Sequence, residues 1–181
     1  PAPPKALIAP HAGYIYSGPV AATAYASLQE VRSIISRVIL VGPSHWFSFS
    51  GLALPEADAL MTPVGTVAVD PEGVESALRF SQVSVRDHVY DREHSLEVHL
   101  PFLQAILADF MVIPFLISRA SSAEVSEVLD ALWGDDSTIL VISSDLSHYH
   151  DYETAGRLDR TTSRAIQALQ PERIAPQDAC G

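Results

Sequence analysis

Three stretches of this chain share one grammar, and that grammar limits the folds open to it. Ala6-Leu7-Ile8-Ala9 is a short apolar run stopped by Pro10 and followed at once by His11. Arg37-Val38-Ile39-Leu40-Val41 is stopped by Gly42-Pro43 and followed by Ser44-His45. Thr138-Ile139-Leu140-Val141-Ile142 runs into Ser143-Ser144-Asp145 and then His148. Unbroken apolar runs of this kind read as strands buried on both faces. A polar group just past such a strand lies where open α/β sheets gather their ligands. Three strand ends that each carry a histidine therefore predict one shared site.

The spacing between the runs supplies the rest of an α/β domain. Pro19 to Leu28 is Ala-rich with Val20, Ala24 and Leu28 at helical spacing, and Gly18-Pro19 puts proline in the first turn. Leu52 to Leu54 and Thr66 to Asp70 read as short strands. Pro71 to Phe80 reads as a helix with Asp70 as its N-cap. Met111 to Ser118 is another strand, whose Pro114 predicts an edge or a strand end. Ser121 to Leu132 carries Val125, Val128, Leu129 and Leu132 on one face and is the clearest amphipathic helix. Glu153 to Leu169 reads as a last helix. Alternating strands and helices over 181 residues predict a single α/β domain around a mixed or mostly parallel sheet.

Composition closes several other routes. There are 22 Asp and Glu against 11 Lys and Arg, with no basic cluster, so nucleic acid and anionic membrane surfaces are not expected partners. Apolar stretches such as Met111 to Ile117 are too short to span a bilayer. No charged start with an apolar core and a small-residue cleavage site occurs, so no signal peptide is expected. A single cysteine excludes an internal disulfide framework and fits a reducing, cytoplasmic compartment. Pro-Ala-Pro-Pro at one end and Cys180-Gly181 at the other predict a chain cut at both ends.

The chemistry centres on imidazole, the commonest metal ligand, and two histidines with an anionic third group make the usual open transition-metal site. Asp145 stands three residues before His148, near enough to orient it or share its proton. The stretch Asp91 to Phe102 is dense in ionisable groups. Read as a helix, it puts Leu96, His99 and Leu103 on one face and stacks Glu93 on Glu97. On that reading His99, with Glu93 or His94, turns toward the strand-end histidines; the same spacing fits a satisfied core histidine equally well. His88 and His150 read as surface residues. Hydrolase chemistry fits less well, since no Gly-x-Ser-x-Gly elbow and no phosphate-binding glycine loop occur.

Taken in order, Pro10-His11-Ala12-Gly13-Tyr14 with Tyr16-Ser17-Gly18, Gly42-Pro43-Ser44-His45, Glu93-His94-Ser95 with Glu97 and His99-Leu100-Pro101, Ser143-Ser144-Asp145 with His148, and Cys180-Gly181 resemble the Memo family. That family is also called AmmeMemoRadiSam system protein B. Its members resemble the class III extradiol (LigB-like) dioxygenases in fold, which implies a single three-layer α/β sandwich around a mixed sheet over residues 1–181. The resemblance further implies a metal site of His11, His45 and Cys180, with Asp145 and His148 beside it. His148 matches the acid/base histidine of the dioxygenases, and His99 would line the same pocket, so His148, Asp145 and His99 are the catalytic candidates. A thiolate in place of the dioxygenase carboxylate turns the expected metal toward copper or zinc without excluding iron. The reading is a metal-dependent, dioxygenase-like redox enzyme using iron or copper, with zinc admitted. The alternative is a non-catalytic module that binds a peptide or small ligand near Tyr16 and Trp46. The family name implies a radical-SAM protein and an AMMECR1-like protein as system partners.

Overall fold

The computed structural model describes residues 4–175 and 177–180. It resolves one eight-stranded mixed sheet with helices on both faces, the three-layer α/β arrangement expected. The strands are β1 (Ala6–Ala9), β2 (Arg37–Pro43), β3 (Gly51–Leu54), β4 (Ala59–Thr62), β5 (Gly65–Val69), β6 (Val83–Val85), β7 (Met111–Ser118) and β8 (Thr138–Ser143). The helices are α1 (Tyr14–Ala26), α2 (Pro71–Ala77), α3 (Leu100–Ile106), α4 (Ser122–Leu132) and α5 (Tyr152–Gln167).

The main path through the sheet runs β1-β8-β2-β7-β3-β6. Its first four strands are parallel, while β3 pairs antiparallel to β7 and carries β6 parallel to itself. The β4-β5 hairpin joins the other end of β7 through Ala68 and Val69. Alternation along each central strand divides its side chains between two cores. Val38 and Leu40 face the layer of α1 and α3, with Tyr25, Leu100 and Leu103. Ile39 and Val41 face the layer of α2 and α4, with Ala77, Val128 and Leu132. Double coverage is why β2, β7 and β8 read as unbroken apolar runs; β1, expected to be buried on both faces, instead forms an edge of the sheet with Ile8 43% exposed.

Pro114 does not mark an edge: β7 is a central strand. Its partner on one side is β2, with Leu40 opposite Pro114. On its other side β5 pairs only with Met111 and Val112, and β3 only with Leu116 to Ser118. Pro114 falls in the gap, where its missing N–H removes no ladder bond. The Tyr90 hydroxyl occupies that gap, 2.7 Å from the Ala53 carbonyl and 2.8 Å from that of Pro114.

The first helix also differs from expectation. It begins at Tyr14 on a Gly13 N-cap, so Pro19 sits inside it and not in its first turn. The carbonyl left without a donor belongs to Ile15, a residue 84% exposed, where water can satisfy it. The strands β4 and β6, short and partly exposed, carry too little apolar patterning to be read from sequence. Asp70 does cap α2, accepting from Glu72 and Gly73 backbone N–H at 3.1 Å each, and it also pairs with Arg37. Ser121 and Glu124 close a reciprocal capping box on α4. Among the described residues no helix is long and apolar enough to cross a membrane.

Candidate metal centre

Sheet order brings the histidines together. Because β1, β8 and β2 are adjacent and parallel, their carboxyl ends open on the same rim. His11, His45, Asp145 and His148 leave from that rim. The His11 and His45 rings lie 5.2 Å apart in an edge-to-face arrangement. The Cys180 sulfur stands 3.1 Å from His45 Nε2 and 3.7 Å from His11 Nε2.

Asp145 ties the C-terminal segment to this rim. Its backbone carbonyl accepts from Cys180 N–H at 2.8 Å in an isolated antiparallel bridge. Its Oδ1 accepts from the backbone N–H groups of His11 at 2.8 Å and Ala12 at 3.2 Å. Its Oδ2 faces two imidazoles, 3.7 Å from His11 Nε2 and 3.7 Å from His148 Nε2. Those are ion-pair distances, too long for hydrogen bonds. His148 is therefore linked to the pair through Asp145 and is itself open to solvent.

The Asp91 to Phe102 stretch is not one helix. Residues 91–96 form an irregular turn, Glu97–His99 a 3₁₀ turn, and α3 starts at Leu100. Glu93 and Glu97 therefore do not stack: Glu97 is exposed, while Glu93 is buried behind His45. Glu93 Oε1 accepts from His45 Nδ1, His94 N and Ser95 N, each at 2.9 Å, and Oε2 accepts from His45 N at 2.6 Å. Burial opposes the charge of this carboxylate, but the hydrogen bonds outweigh it and hold its pKa below the usual value. An ionised carboxylate only accepts, so His45 Nδ1 carries the proton and Nε2 presents its lone pair to the sulfur. Sequence reasoning treated Glu93 as one of two alternatives and did not find this contact, since only the turn at 91–96 aims it at His45.

His99 is fully buried on the α1 side. Its Nδ1 lies 2.8 Å from the Tyr25 hydroxyl, and its Nε2 has no hydrogen-bond partner among the described residues. Burial lowers its pKa to about 4, with the His11 charge adding to the shift and Asp145 opposing it. His88 and His150 are at the surface. His94, which sequence reasoning named only beside Glu93, stacks on His45 at 5.1 Å and meets His11 edge-on at 5.8 Å.

Among the described residues two trios bring ligand atoms within 4.8 Å of one another: His11, His45 and Cys180, and His45, Glu93 and His94. The second is a poor metal site, because Glu93 Oε1 is already filled by three donors. The first fits. A tetrahedral ion with metal–sulfur and metal–nitrogen bonds of about 2.3 and 2.05 Å separates its ligands by about 3.6 Å. The His11–Cys180 distance of 3.7 Å meets that spacing, and the 3.1 Å at His45 is shorter by about half an ångström. Burial lowers the His11 pKa, helped by His45 and His94 and opposed by Asp145 and Glu93, so a neutral imidazole is favoured. Burial first, then Asp145 and Glu93, raise the Cys180 thiol, which must lose its proton to serve as a ligand.

The Memo-like protein family model matches residues 2–177. The chain belongs to the Memo family. MEMO1 family proteins resemble it over most of its length: 33% identity over 175 residues in Aquifex aeolicus, covering 94% of this chain and 64% of that protein. The Thermotoga maritima protein is 36% identical over 178 residues, 93% of this chain and 62% of its own length. The Aeropyrum pernix protein is 35% identical over 178 residues, with the same coverage of 93% and 62%. The chain thus spans less than two-thirds of the length of these Memo relatives.

Proposed function

We propose that this Memo-family chain is a dioxygenase-like metalloprotein that holds one transition metal on His11 Nε2, His45 Nε2 and the Cys180 sulfur. The observation that carries the reading is the convergence of these three donors, with the His45 tautomer set by a buried carboxylate. Two imidazoles and one thiolate suit iron, copper or zinc, and three protein donors would leave a coordination position for a substrate oxygen. Bound there, the metal supplies a Lewis acid and, if iron or copper, a one-electron redox centre.

The protein's own part is to orient and to move protons. Glu93 fixes His45. Asp145 holds the His11 loop and the Cys180 segment against each other through three backbone hydrogen bonds. His148, half-exposed and 3.7 Å from Asp145, is the proposed group that takes a proton from a substrate oxygen or returns one. His99 Nε2 is a second candidate, buried and without a hydrogen-bond partner among the described residues. We place the work in the cytoplasm, alongside a radical-SAM protein and an AMMECR1-like protein.

A second reading rests on the exposed aromatics near the rim. Tyr16 is 78% exposed, and Trp46 is 55% exposed with the Arg92 guanidinium 4.7 Å over its ring. Such a surface suits a peptide or small ligand bound without turnover. Metal content of anaerobically purified protein decides first, for wild type, His11→Ala, His45→Ala and Cys180→Ser. Near-stoichiometric iron or copper, lost in all three variants, supports the metalloprotein. No metal in any form, even after reconstitution, removes that reading and leaves the binding module.

A further inference from the structure

The second imidazole has its own clamp, built from uncharged groups. His11 Nδ1 lies 2.6 Å from the Ser143 hydroxyl, and that hydroxyl lies 2.6 Å from the Ser95 carbonyl. A carbonyl oxygen can only accept, so the single hydroxyl hydrogen of Ser143 is committed to Ser95. Only lone pairs of Ser143 then face His11, and the short contact requires the proton on His11 Nδ1. We infer that Ser143 is a positioning residue that locks His11 in its Nδ1–H tautomer and so keeps the Nε2 lone pair on the sulfur side.

Several features hold the clamp in register. Ser143 is the last residue of β8 and pairs with Ala9, two residues before His11. It is 1% exposed, so water does not compete for its hydrogen. The Ser95 carbonyl is itself held from both sides: Ser95 N–H donates to Glu93 Oε1 at 2.9 Å, and Ser95 Oγ donates to the Pro43 carbonyl at 2.8 Å. The Glu93-His94-Ser95 turn thus backs both imidazoles, His45 through a carboxylate and His11 through a main-chain carbonyl and a hydroxyl. Gly42 makes the assembly fit. A Cβ there would come within 2.8 Å of Leu96 Cδ2, 3.1 Å of Ser95 Oγ and 3.2 Å of Ser143 Cβ. Ser95 and Ser143 enter the sequence analysis only as members of the family motifs, because a serine at a strand end or in a turn carries no signal of what it faces.

The consequence for metal affinity rests on the metalloprotein reading; the tautomer does not. Proton–nitrogen correlation NMR of the metal-free wild-type protein reads the His11 tautomer directly, and Nδ1–H is the expected state. Ser143→Ala should let the His11 ring exchange between tautomers and weaken Zn²⁺ binding by about 10- to 100-fold, the usual effect of losing such a partner. Ser95→Ala keeps the carbonyl and should keep the Nδ1–H tautomer. Nε2–H in the wild type overturns the inference, and this holds even if Ser143→Ala does not fold. A Ser143→Ala protein with the wild-type tautomer and Zn²⁺ affinity also overturns it. Wild-type protein that shows the tautomer yet takes up no Zn²⁺ sinks the metal reading while leaving the clamp standing.

Discussion

Replacing Glu93 with glutamine is the sharpest test of how this rim is built. The carboxylate accepts four hydrogen bonds at 2.6–2.9 Å and donates none. A glutamine side chain matches its shape but brings two N–H donors. If the amide oxygen takes the position of Oε1, the NH₂ faces the His45 backbone N–H, donor against donor at 2.6 Å. If it turns the other way, the NH₂ faces His45 Nδ1, His94 N and Ser95 N, and His45 must shift its proton to Nε2. The first orientation costs less: the His45 N–H and the amide NH₂ face each other without an acceptor, and three bonds fall from charge-assisted to neutral strength. An unpaired buried donor costs about 1–3 kcal/mol and bonds to a charge exceed neutral ones by about 1 kcal/mol each, set against the relief of not burying a charge. The net expectation is a loss of about 2–4 kcal/mol. At roughly 2–4 °C per kcal/mol for a domain of this size, the melting temperature should fall by about 10 °C. Zn²⁺ affinity should fall by about 10- to 100-fold through the loosened His45. Urea unfolding and Zn²⁺ titration of wild type and Glu93→Gln read both effects. A stability within about 0.5 kcal/mol of wild type would place the variant among ordinary surface changes and refute the buried clamp.

Three further outcomes follow from the same physics. His99 has its pKa lowered from 6.5 to about 4 by burial, so the unfolded chain binds its proton more readily than the native one between those values. Stability should therefore fall by up to about 3 kcal/mol as pH drops from 6.5 to 4, and His99→Gln should flatten that limb; an unchanged slope of unfolding free energy against pH in the variant would contradict this. Gly42→Ala forces a methyl against Leu96, Ser95 and Ser143 and should cost about 1–3 kcal/mol in urea unfolding while weakening Zn²⁺ uptake; wild-type values of both would show that the rim has slack. Ser121→Ala breaks the α4 capping box and should cost about 1 kcal/mol, with Zn²⁺ affinity unchanged because the Ser121 hydrogen bonds run to Glu124 and not to the metal-site residues; a matching loss of affinity would contradict that independence.

What the amino-acid order determined by itself was local and one-dimensional. The runs of β2 and β8 needed only their own β-branched residues and their own breakers to declare buried strands ending in a polar group, whereas Ala6–Ala9 declared a strand but not its place at the sheet edge, where Ile8 is 43% exposed. Asp70-Pro71 declared its helix start for the same reason, since a cap is made by neighbours in the chain. The family motifs in their order pointed to His11, His45, Asp145, His148 and Cys180 as one group. Tertiary structure decided the rest, wherever a residue's meaning depends on what lies opposite. Pro114 looked like a strand edge because the gap between β5 and β3 that tolerates it is made by residues some fifty positions away. Pro19 looked like a helix start because nothing local says that the carbonyl it leaves unpaired faces water. Glu93 was legible only as an alternative to His94, and Ser95 and Ser143 only as members of the family motifs, with nothing to say what each would hold. A hydrogen bond that selects the tautomer of an imidazole is a matter of a few tenths of an ångström between elements far apart in sequence, and only the packed sheet brings the three to the two histidines they hold.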